Sequence, residues 1–204
     1  MKRGEKRTSK SHSARSSKSS GSIRIISGRF RGRKLPVLDV QGLRPTTDKN
    51  KEMLFNWLMP YVHNARCLDA FAGSGGLGFE ALSRQAQSTL FVELDKKVVN
   101  KLTQNIQLLS ISCEQATVLQ GAAASLLAKQ QQVFDLIFLD PPFNKNLLPE
   151  VINTISQQNL LAPGGVIYIE CAGSESYQVP DSWQLIKEKL SAQVSAKLYK
   201  RISE

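Results

Sequence analysis

Four apolar residues, Leu136-Ile137-Phe138-Leu139, run straight into Asp140-Pro141-Pro142-Phe143, and this junction restricts the fold more than any other stretch of the chain. The apolar run reads as a buried strand. Proline has no N–H to donate and a fixed φ, so the strand must end near Asp140 and the chain must leave it rigidly. In open α/β sheets, ligands bind at the carboxyl ends of the strands, which is where Asp140 then stands. A carboxylate acceptor, a proline carbonyl and an aromatic ring suit a planar group carrying an NH2, such as the exocyclic amine of a nucleobase. A proline-rich strand exit with a core phenylalanine explains the tetrapeptide equally well.

Strand and helix signals alternate around this junction. Cys67-Leu68-Asp69 predicts a first strand, Leu90 to Glu93 a second, Thr117 to Leu119 a weaker third and Asp135 to Asp140 a fourth. Helices are expected over Gly78 to Arg84, Lys96 to Leu109 and Pro149 to Gln158. A turn at Ala162-Pro163-Gly164-Gly165 precedes strand five, Val166 to Cys171, and two more strands fall around Gln184–Lys189 and Val194–Tyr199. Repeated βα units predict an α/β fold with a mostly parallel, seven-stranded sheet and helices on both faces. Upstream, Met53, Leu54, Trp57 and Leu58 recur at helical spacing, with an N-cap expected in Arg44-Pro45-Thr46-Thr47-Asp48 and an end at Pro60.

With 204 residues, 41% of them apolar, the chain suffices for one such domain and an appendage. No apolar run reaches the length of a membrane span. The charge is uneven. Of 27 Lys/Arg and 17 Asp/Glu, residues 1–34 hold 12 and one, leaving 15 and 16 for the remainder. Residues 1–22, rich in Lys, Arg and Ser, are expected to form a disordered basic arm, without the apolar core of a secretory signal. Residues 23–43 predict a basic β-hairpin, two short strands around a Ser27-Gly28 turn, and residues 44–204 the main domain. The hairpin carries Arg24, Arg29, Arg31, Arg33 and Lys34, more cations than protection of a sheet edge requires. Such a concentration beside a near-neutral globule points to nucleic acid.

Cys67, Cys113 and Cys171 are widely spaced, and the only histidines are His12 and His63. A reducing, cytoplasmic compartment is expected, and no metal site or histidine-based triad. Nothing in the pattern calls for an obligate dimer, so a monomer is expected.

After strand one comes Asp69-Ala-Phe-Ala-Gly73-Ser74-Gly75-Gly76-Leu77-Gly78, and Glu93 stands 20 residues beyond Gly73. Glycines admit a ligand close to the backbone, and an acid on the second strand tip can accept from both ribose hydroxyls. A dinucleotide site places its first glycine almost directly after the strand, so that pyrophosphate meets a helix N-terminus. Here Asp69 takes that place and would repel pyrophosphate but welcome a cationic amine. The order favours S-adenosylmethionine over NAD.

Taken together, these motifs resemble those of a class I, Rossmann-like methyltransferase acting on amino groups. With Arg24-Ile-Ile-Ser-Gly-Arg-Phe-Arg-Gly-Arg-Lys-Leu-Pro36, Arg44-Pro-Thr-Thr-Asp48 and Leu54-Phe-Asn-Trp-Leu58, the chain resembles the RsmD family from about Arg24 onward. The resemblance implies methylation of a guanine N2 in 16S ribosomal RNA of the small subunit or its assembly intermediate. It further implies that Asp69, Gly73, Ser74 and Gly75 line the methionine end of S-adenosylmethionine and Glu93 its ribose. Asp140 and the Pro141 carbonyl would accept from the guanine amine, with Phe143 stacked on the base. Arg24, Arg29, Arg31, Arg33, Lys34, Arg44 and Lys49 would contact RNA. Two departures stand out. Lys49 and Lys51 replace arginines common in the family, losing the bidentate fork, and Gln120-Gly121-Ala122-Ala123 has no Asn or Asp for the adenine amine. A DNA adenine-N6 methyltransferase, a protein glutamine methyltransferase and a non-catalytic RNA-binding protein are the competing readings.

Overall fold

The computed structural model describes residues 21–38 and 48–202; most of the basic arm, and Arg44 with the three residues after it, lie outside them. Strands β1 (Ser22–Arg24) and β2 (Lys34–Pro36) pair antiparallel, with Ile23 opposite Leu35 and Arg24 opposite Lys34. The expected hairpin is present, but its connection is a loop over residues 25–33 and not a tight turn.

Helix α1 (Asp48–Val62) buries Leu54 and Leu58 as expected, and Phe55 with them. Pro60 does not end it. Proline removes the amide that would bond back to Asn56, and both residues are exposed, so water can satisfy that carbonyl while the helix runs on for a last half-turn.

The main body follows as β3 (Arg66–Asp69), α2 (Gly76–Ser83), β4 (Ser88–Glu93), α3 (Lys96–Leu108) and β5 (Ala116–Gln120). After these come α4 (Ala123–Leu127), β6 (Phe134–Leu139), α5 (Leu148–Gln157), β7 (Leu161–Ala172), β8 (Trp183–Leu190) and β9 (Val194–Arg201). They form a seven-stranded sheet in the order β5-β4-β3-β6-β7-β9-β8. Only β9 runs against the others, pairing antiparallel with β7 and β8. The chain winds outward from β3 to β5, then crosses back to lay β6 on the other side of β3. That reversal opens a crevice beyond the ends of β3 and β6, where open α/β sheets bind ligands.

Alternation along the strands sorts the core into two layers. Cys67, Leu136, Phe138 and Tyr168 face α1 and α2, whereas Leu68, Ile137, Leu139 and Ile169 belong to the cluster that includes α4 and α5. A third cluster joins Ile23, Ile25, Leu35 and Val37 of the hairpin to Phe79 and Leu82 of α2 and Val98 and Leu102 of α3. The hairpin is therefore welded to the body by its apolar residues.

Two further differences have physical causes. The Pro163-Gly164-Gly165 signal is an irregularity within β7, not a turn before it. Phe134 faces Leu161 while Leu136 faces Val166, and the extra residues are absorbed at Gly164, where φ is 74°. Helix α4, only five residues long, is too short to show a helical period.

Candidate active site

Asp69 ends β3 with strands on both sides and is only 2% exposed. Its Oδ2 accepts from the Gly78 amide in the first turn of α2, at 3.0 Å. Burial pushes this carboxyl up to about 7; the Gly78 bond pulls the other way, and the nearby Glu93 charge adds to the rise. The chain beyond Asp69 stays hooked to the sheet: Ala70 donates to Phe138 and Ala72 to Val92, at 3.1 and 2.9 Å. Gly73 and Gly75 then take left-handed φ values of 49° and 77°, and α2 starts at Gly76, two residues earlier than expected.

These glycines also serve the packing. A Cβ on Gly75 would lie 2.5 Å from Phe79, and one on Gly78 would lie 2.2 Å from the Phe91 ring. The third glycine lets α2 settle on β4.

Glu93 reaches back from the end of β4 to the same loop. Its Oε2 accepts from the Gly73 amide at 2.9 Å and its Oε1 from the Asp95 amide at 2.8 Å. The acid therefore fixes the glycine loop itself, and each oxygen keeps a second lone pair for a hydroxyl donor. Asp95, which the sequence pattern did not single out, caps α3 by accepting from Lys97 and Val98. Val37 and Leu38, leaving the hairpin, border a small cavity together with Gly73 and Ser74. Just beyond β5, Gly121 donates to the Glu93 carbonyl, and Ala122 is exposed.

Asp140 follows β6. Burial first, then the charges of Glu170 and Asp69, hold its carboxyl well above the usual carboxylate range. Pro141 is buried, Pro142 exposed and Phe143 half-buried. The loop continues through Asn144 and Asn146 in left-handed conformations, φ 62° and 51°, which asparagine tolerates best after glycine. Asp69 and Asp140 thus meet at one place, the end of the sheet where the strand order reverses. Glu170, on β7, is an acid that sequence reasoning missed. Parallel register carries it beside Asp140, and no motif marks it.

The cations are arranged differently. Glu80, fully buried in α2, accepts from the Ile26 and Ser27 amides at 2.9 and 3.0 Å and from Arg84 at 2.8 Å. Ser83 Oγ accepts from the Phe30 amide at 3.0 Å, and Arg29 donates its own amide to the Ser83 carbonyl at 2.8 Å. Gly28 packs so closely that a Cβ would fall 1.8 Å from that carbonyl oxygen. The end of α2 thereby holds the loop that carries the arginines.

Arg24, Arg29, Arg31, Arg33 and Lys34 are all exposed. Arg29 lies over the Phe30 ring at 4.3 Å and reaches Gln115, and Arg33 donates to the Leu108 carbonyl at 3.1 Å. Leu108 ends α3, at the sheet edge opposite the acids; a helix of 13 residues spans about 20 Å. Arg29 and Arg33 thus reach toward the end of the domain away from the acids. Lys49 is exposed in the first turn of α1. Lys51 departs from expectation: it is 2% exposed, its ammonium donates to the Arg24 carbonyl, and it lies 3.6 Å from Asp48. It anchors the hairpin and is not presented to a phosphate.

The donor set fits S-adenosylmethionine. Carboxylates at the tips of β3 and β4 and glycine amides between them can meet a cationic amine and a ribose, whereas a pyrophosphate would face like charge. A separate cavity of about 560 Å³, between α5 and residues 176–180, includes none of these acids.

A family model described as conserved hypothetical protein 95 matches residues 23–200. The chain is 51% identical to ribosomal RNA small subunit methyltransferase D of Haemophilus influenzae, over 88% of this chain and 94% of that protein. It is 46% identical to the Escherichia coli K12 protein of the same name, over 89% and 91%. The solved structure of Escherichia coli yhhF matches with a TM-score of 0.84 at 45% identity, covering 90% of this chain and 100% of that one. The chain belongs to the family of conserved hypothetical protein 95, that of ribosomal RNA small subunit methyltransferase D, RsmD.

Proposed function

We propose that this protein methylates the exocyclic N2 amine of a guanine in 16S ribosomal RNA, in the small subunit or an assembly intermediate, using S-adenosylmethionine. The observation that carries the reading is the placement of Asp140, next after β6, and Asp69, at the end of β3, on neighbouring strands where the sheet order reverses. When bound, S-adenosylmethionine supplies a methyl activated by its sulfonium. Asp69, Gly73, Ser74 and Gly75 line its methionine end, and Glu93 accepts from its ribose.

A guanine amine is a poor nucleophile, because its lone pair is delocalised into the ring. Asp140 and the Pro141 carbonyl accept its two N–H bonds, aim the nitrogen and stabilise the positive charge that grows on it. Phe143 stacks on the base, which must leave its own stack to reach the pocket. Arg24, Arg29, Arg31, Arg33, Lys34 and Lys49 contact phosphates, giving affinity without sequence information, so RNA shape selects the site. Arg44 is assigned to the same surface by the family resemblance alone. The protein works as a monomer in the cytoplasm.

The test is transfer of labelled methyl from S-adenosylmethionine to unmodified small subunits, free rRNA and DNA, followed by nucleoside analysis. N2-methylguanosine from subunits is expected, reduced at least about 100-fold by Asp140→Ala. N6-methyladenine from DNA would overturn the substrate assignment and make the amine pocket an adenine site.

A further inference from the structure

Glu170 has no place in the reading above, yet it is a buried acid beside the proposed acceptor. Strands β6 and β7 are parallel with Leu139 opposite Ile169, so continuing the register brings Asp140, the first residue beyond β6, beside Glu170, whose charge acts on it. They lie on the face already shared by Phe138 and Tyr168. Glu170 is 9% exposed and Tyr168 1%, and the Tyr168 hydroxyl donates to Glu170 Oε2. We infer that Glu170, fixed by Tyr168, is a positioning residue that controls the proton on Asp140. This rests on the reading of Asp140 as the amine acceptor.

The surroundings decide which acid gives up its charge. Asp140 faces Glu170 from β6, and Asp69 stands nearby at the end of β3. Lys189 of β8 is the cation whose field reaches Glu170, and neutral Ala196 of β9 lies opposite it. On α1, the Lys51 ammonium is turned to the Arg24 carbonyl and Asp48. Asp69 and Glu170 are buried and Asp140 is half-buried just beyond the strand between theirs, so three charged carboxyls would repel one another with little water to screen them. Burial raises Glu170, but the Tyr168 hydroxyl and Lys189 both favour its charged form. Asp140 has no such help: burial, Glu170 and Asp69 all push it up. Of the two, Asp140 is therefore the one driven more strongly toward holding the proton in the free protein.

A cationic ligand beside Asp69 would favour the Asp140 carboxylate, its proton leaving to solvent as the pocket fills. During transfer the N2–carbon bond forms as the methyl–sulfur bond breaks. One N2 proton then passes to the Asp140 carboxylate, which regains its state in the free protein. Glu170 gives Asp140 the proton affinity to accept that proton while the ionised form still binds the amine.

The test is carbon-13 NMR titration of aspartate carboxyls in the free full-length protein, with the Asp140 signal assigned from Asp140→Asn. Glu170→Gln keeps the shape and the Tyr168 bond but removes the charge. The Asp140 midpoint is expected to fall by about one pH unit or more, and the acid limb of methyl transfer to small subunits to move down with it. Tyr168→Phe, which makes Glu170 easier to protonate, should move the midpoint the same way by less, and serves if the first variant does not fold. An Asp140 midpoint unchanged in the folded variants would overturn the inference. A shifted midpoint without methylation of subunits by the wild type would instead keep the carboxyl pair and refute the proposed reaction.

Discussion

The role proposed for Asp69 sets two demands that conflict. An acid that holds a cation must be ionised, yet the position of Asp69 at the end of a strand flanked on both sides removes it from water. With a folded value of about 7 against about 3.9 in the unfolded chain, the folded state binds more protons between those limits. Stability contributed at this residue is therefore fully present below about pH 4 and is lost as pH rises toward 7. Asp69→Asn, which keeps an acceptor for Gly78, is expected to be more stable than wild type at pH 7, by on the order of 3 kcal/mol, with no gain at pH 4. Chemical denaturation of both proteins across that range, without ligand, measures it; a gain independent of pH would contradict the assignment. Asp69 and Asp140 were legible because each closes an apolar run ahead of a glycine loop or a proline pair, and Glu93 because it ends an apolar run 20 residues beyond Gly73. Glu170 and Glu80 were not, since an acid inside a strand or helix resembles a solvent-facing residue until its neighbours are known.

At the scale of elements, the basic hairpin shows what local pattern can and cannot foresee. Its two strands and its arginines are visible in the sequence, but its seat is not. Two strands of three residues each cannot stand alone, and the end of α2 completes them. Glu80 joins two backbone amides to Arg84 in a buried network, so removing it strands polar groups on both sides. Glu80→Ala should cost about 3 kcal/mol in thermal or denaturant unfolding. It should also speed hydrogen exchange at the Ile26 and Ser27 amides more than in β6. Uniform exchange changes across the domain would show that the hairpin has no separate anchorage. Pro60 and the Pro163-Gly164-Gly165 stretch behave differently from expectation for a related reason. Both signals report a local backbone preference, and whether it ends an element depends on water at an exposed helix end or on a neighbouring strand that accepts a bulge.

Across the whole molecule, cations and acids occupy different regions. Arg29 and Arg33 reach away from the acids that gather at one end of the sheet, so on the proposed reading RNA binding and chemistry can be altered separately. Deleting residues 1–22 is expected to flatten the salt dependence of RNA binding, since the slope falls by about one for every phosphate the protein no longer neutralises. Affinity for S-adenosylmethionine should not change. Filter binding at several salt concentrations checks the first expectation and calorimetry the second; an unchanged salt slope would assign the arm another role. The sequence alone determined the alternating strands and helices, the glycine loop, the acids at the strand tips and the basic N-terminal region. Each depends on residue type and spacing along one stretch of backbone. Only the tertiary structure decided that β6 returns to lie beside β3, that Glu170 stands next to Asp140 and that Lys51 turns inward. Those depend on register and packing between segments far apart in the chain, where burial and neighbouring charge, more than residue type, set what a carboxyl or an ammonium can do.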